Sequence, residues 1–154
     1  MTIRFFSILF IGLLFSACGS NSKNETHVQQ SVKAEVVFDI PSLIGKNIDE
    51  IRKSIGKPVD KEIEPSALQM KTKGFNYWDN SFKKDGYTLQ ITYDPHTRKV
   101  NDFFISNNNA VDNTDTLRAI VNVNSNDTLY KLEDVKLIKD PSQFTGTLIT
   151  PTQN

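Results

Sequence analysis

The sequence predicts an α+β domain in which one main helix, plus one or two short ones, packs on an antiparallel β-meander sheet. Three observations carry that expectation. A capped segment at 47–55 spaces its apolar residues as a helix does. Asp85-Gly86, a two-residue hairpin signal, separates two alternating segments, and two further alternating runs follow toward the C-terminus. The domain is expected over residues 34–151, a length at which folding buries well over half of the chain's surface.

The domain opens with Val36-Val37-Phe38-Asp39-Ile40, an apolar stretch expected to form a short strand, and continues through Pro41-Ser42-Leu43-Ile44-Gly45-Lys46. Asn47 can then cap a helix, and Glu50 three residues later completes a capping box. Ile48, Ile51 and Ile55 recur at three and four residues and make one apolar face. Gly56 supplies a left-handed position after the helix, and Pro58 cannot continue the hydrogen-bond ladder. A short helical turn is expected from Pro65 to Met70, because Pro65 suits a first helical position.

Around Asp85-Gly86 the period becomes two. With these residues as the loop, Lys84 faces Tyr87, Phe82 faces Leu89 and Trp78 faces Tyr93, so Trp78, Phe82, Tyr87, Leu89, Ile91 and Tyr93 share one face. The opposite face carries Phe75, Tyr77, Thr88, Gln90 and Thr92. Of these, Tyr77, Thr88, Gln90 and Thr92 are the candidate binding residues. Trp78 reads as a core anchor, and a one-residue slip would exchange it with Tyr77 and expose it as a binding hot spot.

A third strand over about 99–106 follows the turn-forming run Asp94-Pro95-His96-Thr97-Arg98. Its register stays open: either Phe103 and Ile105 or Val100 and Phe104 face the helix. In both cases a phenylalanine goes to the far side, which requires cover by later chain or by a partner. Asn107-Asn108-Asn109 reads as a loop. Leu117, Ile120 and Val121 suggest a short helix capped by Asp112 or Thr114, and 122–128 is again loop-like. Leu129 to Ile138 and Phe144 to Ile149 alternate as strands divided by Asp140-Pro141.

The N-terminus carries an address. Arg4 supplies a positive start, Phe5 to Ser16 an apolar core too short for the roughly 20 residues a bilayer span needs, and Ala17 a small residue before Cys18. The run Phe15-Ser16-Ala17-Cys18 resembles a bacterial lipoprotein lipobox, with Phe15 where Leu is commonest. That resemblance implies a signal peptide at 1–17, diacylglycerol on the Cys18 sulfur, an acylated new N-terminus such as palmitate, and a tether over 18–33. Ordinary secretory cleavage after Gly19 and an uncleaved anchor are the competing readings. One acyl chain holds only marginally, at ~0.8 kcal/mol per buried methylene, whereas two or three on one residue hold stably. Gly19 after the cysteine suggests the outer membrane in a Gram-negative host.

Composition narrows the function. Without Arg4 the chain has 17 basic and 18 acidic residues, a formal net charge of 17 − 18 = −1, which excludes the basic stripe of a nucleic-acid binder. Cys18 is the single cysteine, so none remains for a disulfide or a zinc site. No cofactor or metal is expected. The sequence contains no nucleophile elbow, phosphate loop or His-Glu-x-x-His pair. His27 reads as a solvated tether residue and His96 as a solvated turn residue. Asp60, Glu62 and Glu64 can in principle supply a carboxylate pair for hydrolysis, although a solvated segment explains them as well. Asp112-Asn113-Thr114-Asp115 lacks the glycine and distal glutamate of an EF-hand loop, and helix capping explains it more simply.

Gly45-Lys46-Asn47-Ile48-Asp49-Glu50-Ile51, then Ile55-Gly56-Lys57-Pro58, a Trp-bearing strand and a meander ending at Lys99-Val100 resemble the SmpA/OmlA lipoproteins of barrel assembly and the beta-lactamase-inhibitor-like folds. The resemblance covers about 44–105 and implies a non-enzymatic module that binds other envelope proteins. The chain departs from it by an insertion at roughly 60–73 and by everything after Asn107. Ile40-Pro41-Ser42-Leu43-Ile44-Gly45-Lys46 also resembles the opening of a PASTA domain, which implies cell-wall glycan binding, but that domain's usual close is missing. The expected function is therefore a lipid-anchored envelope binding module. An envelope hydrolase using a carboxylate pair and a PASTA-like glycan binder are the alternatives.

Overall fold

The structure, a computed structural model, describes residues 35–152. Cys18, the signal segment, His27 and the tether lie outside the described residues. Helix α1 spans Ile48–Ile55 and starts as its sequence dictates: Asn47 Oδ1 accepts from the Asp49 and Glu50 amides at 3.0 Å, and the Glu50 carboxylate accepts from the Asn47 amide at 2.9 Å. Gly56 ends it at φ 102°, a backbone conformation that L side chains rarely adopt. Ile48 and Ile51 are fully buried and Ile55 half-buried, so the three-and-four spacing is the face that meets the sheet.

Helix α2 is four residues, Ala67–Met70. Ser66 rather than Pro65 opens it, with Gln69 reaching back to the Ser66 amide, and none of its residues is buried. The stretch 36–40, expected as a strand, is not one. The Val37 and Phe38 amides both donate to the Ile120 carbonyl, at 2.7 and 3.1 Å, and Ile40 donates to Val121. A helix C-terminus leaves carbonyls without intrahelical partners, and here they take up the incoming chain. A 3-10 turn, Ile40–Ser42, follows.

Strands β1 (Trp78–Lys84), β2 (Tyr87–Tyr93), β3 (Val100–Val111), β4 (Tyr130–Leu137) and β5 (Asp140–Pro151) form one antiparallel sheet in the order β1-β2-β3-β5-β4. The architecture is α+β, with the sheet dominant. The meander holds for β1 to β3. From β3 the chain passes through α3 (Asp115–Ile120) to the far edge as β4, and β5 returns between them. The hairpin register is the one its sequence implies, pairing Lys84 with Tyr87, Phe82 with Leu89 and Trp78 with Tyr93.

Three boundaries differ from expectation. Asn107, Asn108 and Asn109 belong to β3, with Asn107 opposite Tyr87. The β4–β5 turn is Ile138-Lys139, so Asp140-Pro141 begins β5 rather than dividing the strands. Thr114 occupies the cap position of α3 without a capping bond, because its hydroxyl pairs with Asp134 instead.

The open register of the third strand resolves through a bulge. Thr92 pairs with Asp102 and Tyr93 with Val100, leaving Asn101 as the extra residue. Val100, Phe103 and Ile105 therefore all enter the core, and only Phe104 faces outward. The core is a single cluster joining Phe38, Ile40 and Leu43, the α1 isoleucines, Leu117 and Ile120 of α3, and the inner faces of the strands. The later chain adds its helix to this same side. Phe104 finds shelter in another way: its ring lies over Gly146 of β5, where a Cβ would stand 2.5 Å from Phe104 Cζ and collide with the Ile105 carbonyl oxygen.

Gly146→Ala is therefore expected to destabilise the fold by about 1–3 kcal/mol. Because the Ile105 carbonyl is backbone, part of the loss should persist in a Phe104→Ala background. Urea unfolding of the two single variants and the double variant measures both effects; a wild-type midpoint for Gly146→Ala would refute the packing described.

Candidate functional site

The outer face of the sheet gathers three of the four predicted binding residues. Thr88, Gln90 and Thr92 stand in one column on β2, all half-buried. Tyr77 precedes β1 and is 64% exposed, outside that column. Trp78 is on the inner side, packed against the core.

Register places the neighbours in rows. Asp79, Thr92 and Asp102 form one row, Ser81, Gln90, Phe104, Leu148 and Glu133 the next, and Lys83, Thr88, Ser106, Gly146 and Val135 the third. The face thus has an apolar centre in Phe104 and Leu148 and a charged surround, acidic at Asp79 and Asp102 and basic at Lys83. Burial pushes the Asp102 carboxyl above its ordinary range, and the negative charge of Asp79 adds to this against a hydrogen bond from Thr92.

A second polar assembly lies at the inner side, where α1, the ends of β1 and β2 and the 56–66 loop meet. Its signal in sequence was Asn80, a polar residue on the apolar face between Trp78 and Phe82, and it is fully buried. Asn80 Oδ1 accepts from Arg52 Nε at 2.9 Å, and its Nδ2 donates to the Ile63 carbonyl at 3.1 Å. Arg98 holds both Glu64 oxygens at 2.8 Å and both Asp49 oxygens at 2.6 and 3.0 Å. Arg52 also pairs with Glu64 and donates to the Tyr93 hydroxyl at 3.1 Å. The guanidinium carbons of Arg52 and Arg98 sit 5.5 and 5.2 Å from the Tyr93 ring centroid, within cation–π range.

These contacts set the protonation states. The Arg98 and Arg52 guanidiniums, against the effect of burial, bring the Glu64 carboxyl down to about 2, and Arg98 lowers Asp49 as well. In return, Glu64 and Asp49 raise Arg98. Burial first, and then the charge of Glu64, raise the Tyr93 phenol. A carboxyl held at about 2 stays ionised at neutral pH and has no proton to give as a general acid. Asp60 accepts from the Ser81 amide at 2.5 Å and Glu62 is exposed, so the three acidic residues of this loop have separate surroundings.

The remaining candidates have structural roles. Asp94 Oδ1 accepts from the His96 and Thr97 amides, shaping the turn, and His96 Nε2 lies 3.1 Å from the Phe75 carbonyl oxygen. Asn113 Oδ1 accepts from the Asp115 amide at the start of α3. Among the described residues no group of three or more His, Cys, Asp or Glu side chains is placed to hold a metal ion.

Glu64 has a depressed pKa, so its contribution to stability is present above its unfolded value of about 4.5 and is lost as pH falls toward about 2. Glu64→Gln is expected to remove roughly 1 kcal/mol at pH 7, a magnitude discounted for the 41% exposure of the side chain, and to flatten the acid-dependent fall between pH 4.5 and 2. Thermal melts across that range compare the two chains; parallel curves would rule the pairing out as a source of stability.

Compared with known protein families, curated proteins and solved structures, the chain matches none.

Proposed function

We propose that this chain is a lipid-anchored cell-envelope lipoprotein whose domain is a non-enzymatic binding module for another envelope protein. The observation that carries the reading is the outer face of the sheet. Its apolar centre, Phe104 and Leu148, is ringed by Gln90, Asp79, Asp102, Lys83 and Glu133. An apolar core with a polar rim is the usual anatomy of a protein–protein contact. The five ion pairs among the described residues join carboxylates to Arg52, Arg98 and Arg118, which favours a structural use of those acids over a hydrolytic one.

The anchor in this reading is Cys18, by its resemblance to a lipobox, with the outer membrane as the destination in a Gram-negative cell. Among the described residues no helix is long and apolar enough to cross a membrane. A lipid at Cys18 would hold the domain at the surface where envelope partners are found.

Cys18→Ala should release the protein into the soluble fraction and abolish the lipid mass on the N-terminal peptide; retention with unchanged mass would refute the anchor. For the binding face, Thr88→Lys would set two lysines opposite each other, because Thr88 pairs with Lys83. Thr88→Glu with Gln90→Lys avoids that repulsion. The double variant should lose a crosslinked envelope partner at least tenfold while melting within a few degrees of wild type, and full recovery of the partner would remove this face from consideration.

A further inference from the structure

We propose that β4, the open edge of the sheet, pairs antiparallel with β4 of a second copy of this chain, about a two-fold axis at Leu132. The two edges of the sheet are treated differently. At β1 the Ser81 carbonyl accepts from the Val59 amide at 2.8 Å and the Ser81 amide donates to Asp60, so the 56–66 loop covers that edge. Strand β4 ends the order β1-β2-β3-β5-β4 on the other side, and among the described residues no backbone group from outside the sheet bonds to it. An uncovered edge strand is a template for another strand.

Pairing with β5 fixes which backbone groups of β4 are open. The Thr152 amide donates to the Leu129 carbonyl at 2.9 Å, and this pair continues the register that sets Tyr130 opposite Pro151. Backbone groups alternate in direction along an antiparallel strand, so those of Lys131 and Glu133 also face β5. Those of Tyr130, Leu132 and Asp134 face the open side. Pro151 agrees with this phase, since it has no amide to give to Tyr130. After Val135 the register with β5 shifts, so the regular open stretch is Tyr130 to Asp134, with Leu132 at its centre.

Charge selects one register for that stretch. With the axis at Leu132, Lys131 of each copy stands opposite Glu133 of the other, Leu132 meets its own copy, and Tyr130 stands opposite Asp134. The open residues then exchange about six backbone hydrogen bonds, two for each facing pair. An axis at Lys131 would oppose two lysines, and one at Glu133 or Asp134 two acids. Opposite charges across a strand pair stabilise it and like charges destabilise it. Charges on an edge ordinarily keep other strands away; here they do so in the neighbouring registers and admit one. Lys131 and Glu133 are exposed, whereas Asp134 already accepts from Arg118 and from Thr147 Oγ1 at 3.0 Å and enters the pair with its charge partnered. The two-fold axis stands perpendicular to the sheet, so the outer faces of both copies lie on the same side, joined at Glu133 on their margin. The pairing needs no lipid anchor.

So short a stretch makes an interface below the roughly 1,200 Å² of a standard one, and a weak dimer is best read by trapping it. The purified chain from residue 18 onward, with Cys18→Ala, is made with either Lys131→Cys or Glu133→Cys, so that each variant holds a single thiol. In the proposed register a thiol at 131 faces one at 133. Position 131 and its own copy are two residues out of step, ~8 Å apart between Cα atoms and beyond disulfide reach. Mixing the variants under mild oxidation should therefore give the mixed disulfide roughly tenfold faster than either variant alone links to itself. In sedimentation at high concentration, Lys131→Glu should weaken association of the Cys18→Ala chain roughly tenfold, and adding Glu133→Lys should restore it by swapping the charges. Equal linking in all three mixtures, faster self-linking of either variant, or unchanged association of Lys131→Glu would overturn the proposal. Absence of the mixed disulfide would also overturn it, in favour of a strand from another protein at this edge. Purified protein contains no envelope partner, so failure here is distinct from failure of the binding-face reading.

Discussion

Asn101 has no partner on β2, and that one extra residue decides which side of the sheet the side chains on either flank of it face. Side chains alternate along a strand, so without the bulge Val100 would lie opposite to Phe103 and Ile105. With it, all three join the core and β3 can serve as the middle strand, paired with β2 on one side and β5 on the other. The same irregularity adjoins the turn that brings Arg98, at φ 67°, toward α1. A non-glycine residue there carries backbone strain of about 1–2 kcal/mol, which the bonds from Arg98 to Glu64 and Asp49 offset.

That arginine connects folding to electrostatics. The 56–66 loop presents exposed Val59 and Ile63 and leads into a helix that buries nothing, so apolar packing does little to hold it. Its attachment is polar: Val59 and Asp60 bind the edge of β1 at Ser81, the Ile63 carbonyl accepts from Arg52, Asn80 and Tyr93, and Glu64 bridges the two arginines. A buried polar group is tolerable only when partnered. Asn80 and the Tyr93 hydroxyl meet that condition by taking the loop as their partner. The arrangement assigns arginines to internal structure and leaves lysines at the surface, where a compact mobile charge is better suited to meeting another body.

The two sides of the sheet consequently differ in kind. One is closed by the helices and the N-terminal leg. On the other, Phe104 is sheltered by Gly146 at short range, and the column Thr88, Gln90, Thr92 remains half-buried among charged rows. Alternation alone led to the expectation that later chain or a partner covers the outward phenylalanine. Strand β5 is later chain, and its Gly146 leaves the room in which the ring lies, a contact that depends on β5 entering beside β3.

Local physics was legible in the sequence. Asn47, Glu50, Gly56 and Pro58 mark α1 because capping and helix-breaking act within a few residues. Asp85-Gly86 sets the β1–β2 register, and with it the shared face of Thr88, Gln90 and Thr92, because a two-residue loop permits one alignment. What only the tertiary structure decided involves partners distant in sequence. Val36 to Ile40 is an apolar stretch that reads as a strand, yet its amides go to the end of α3, about 80 residues on. The bulge at Asn101, the insertion of β5 between β3 and β4, and the meeting of Arg52, Glu64, Tyr93 and Arg98 each bring together segments that share no local pattern. Short-range propensities leave such pairings open. They are chosen by which arrangement buries the apolar faces while giving most enclosed polar groups a partner; among the described residues Trp78 Nε1 and Arg118 Nε are buried without one.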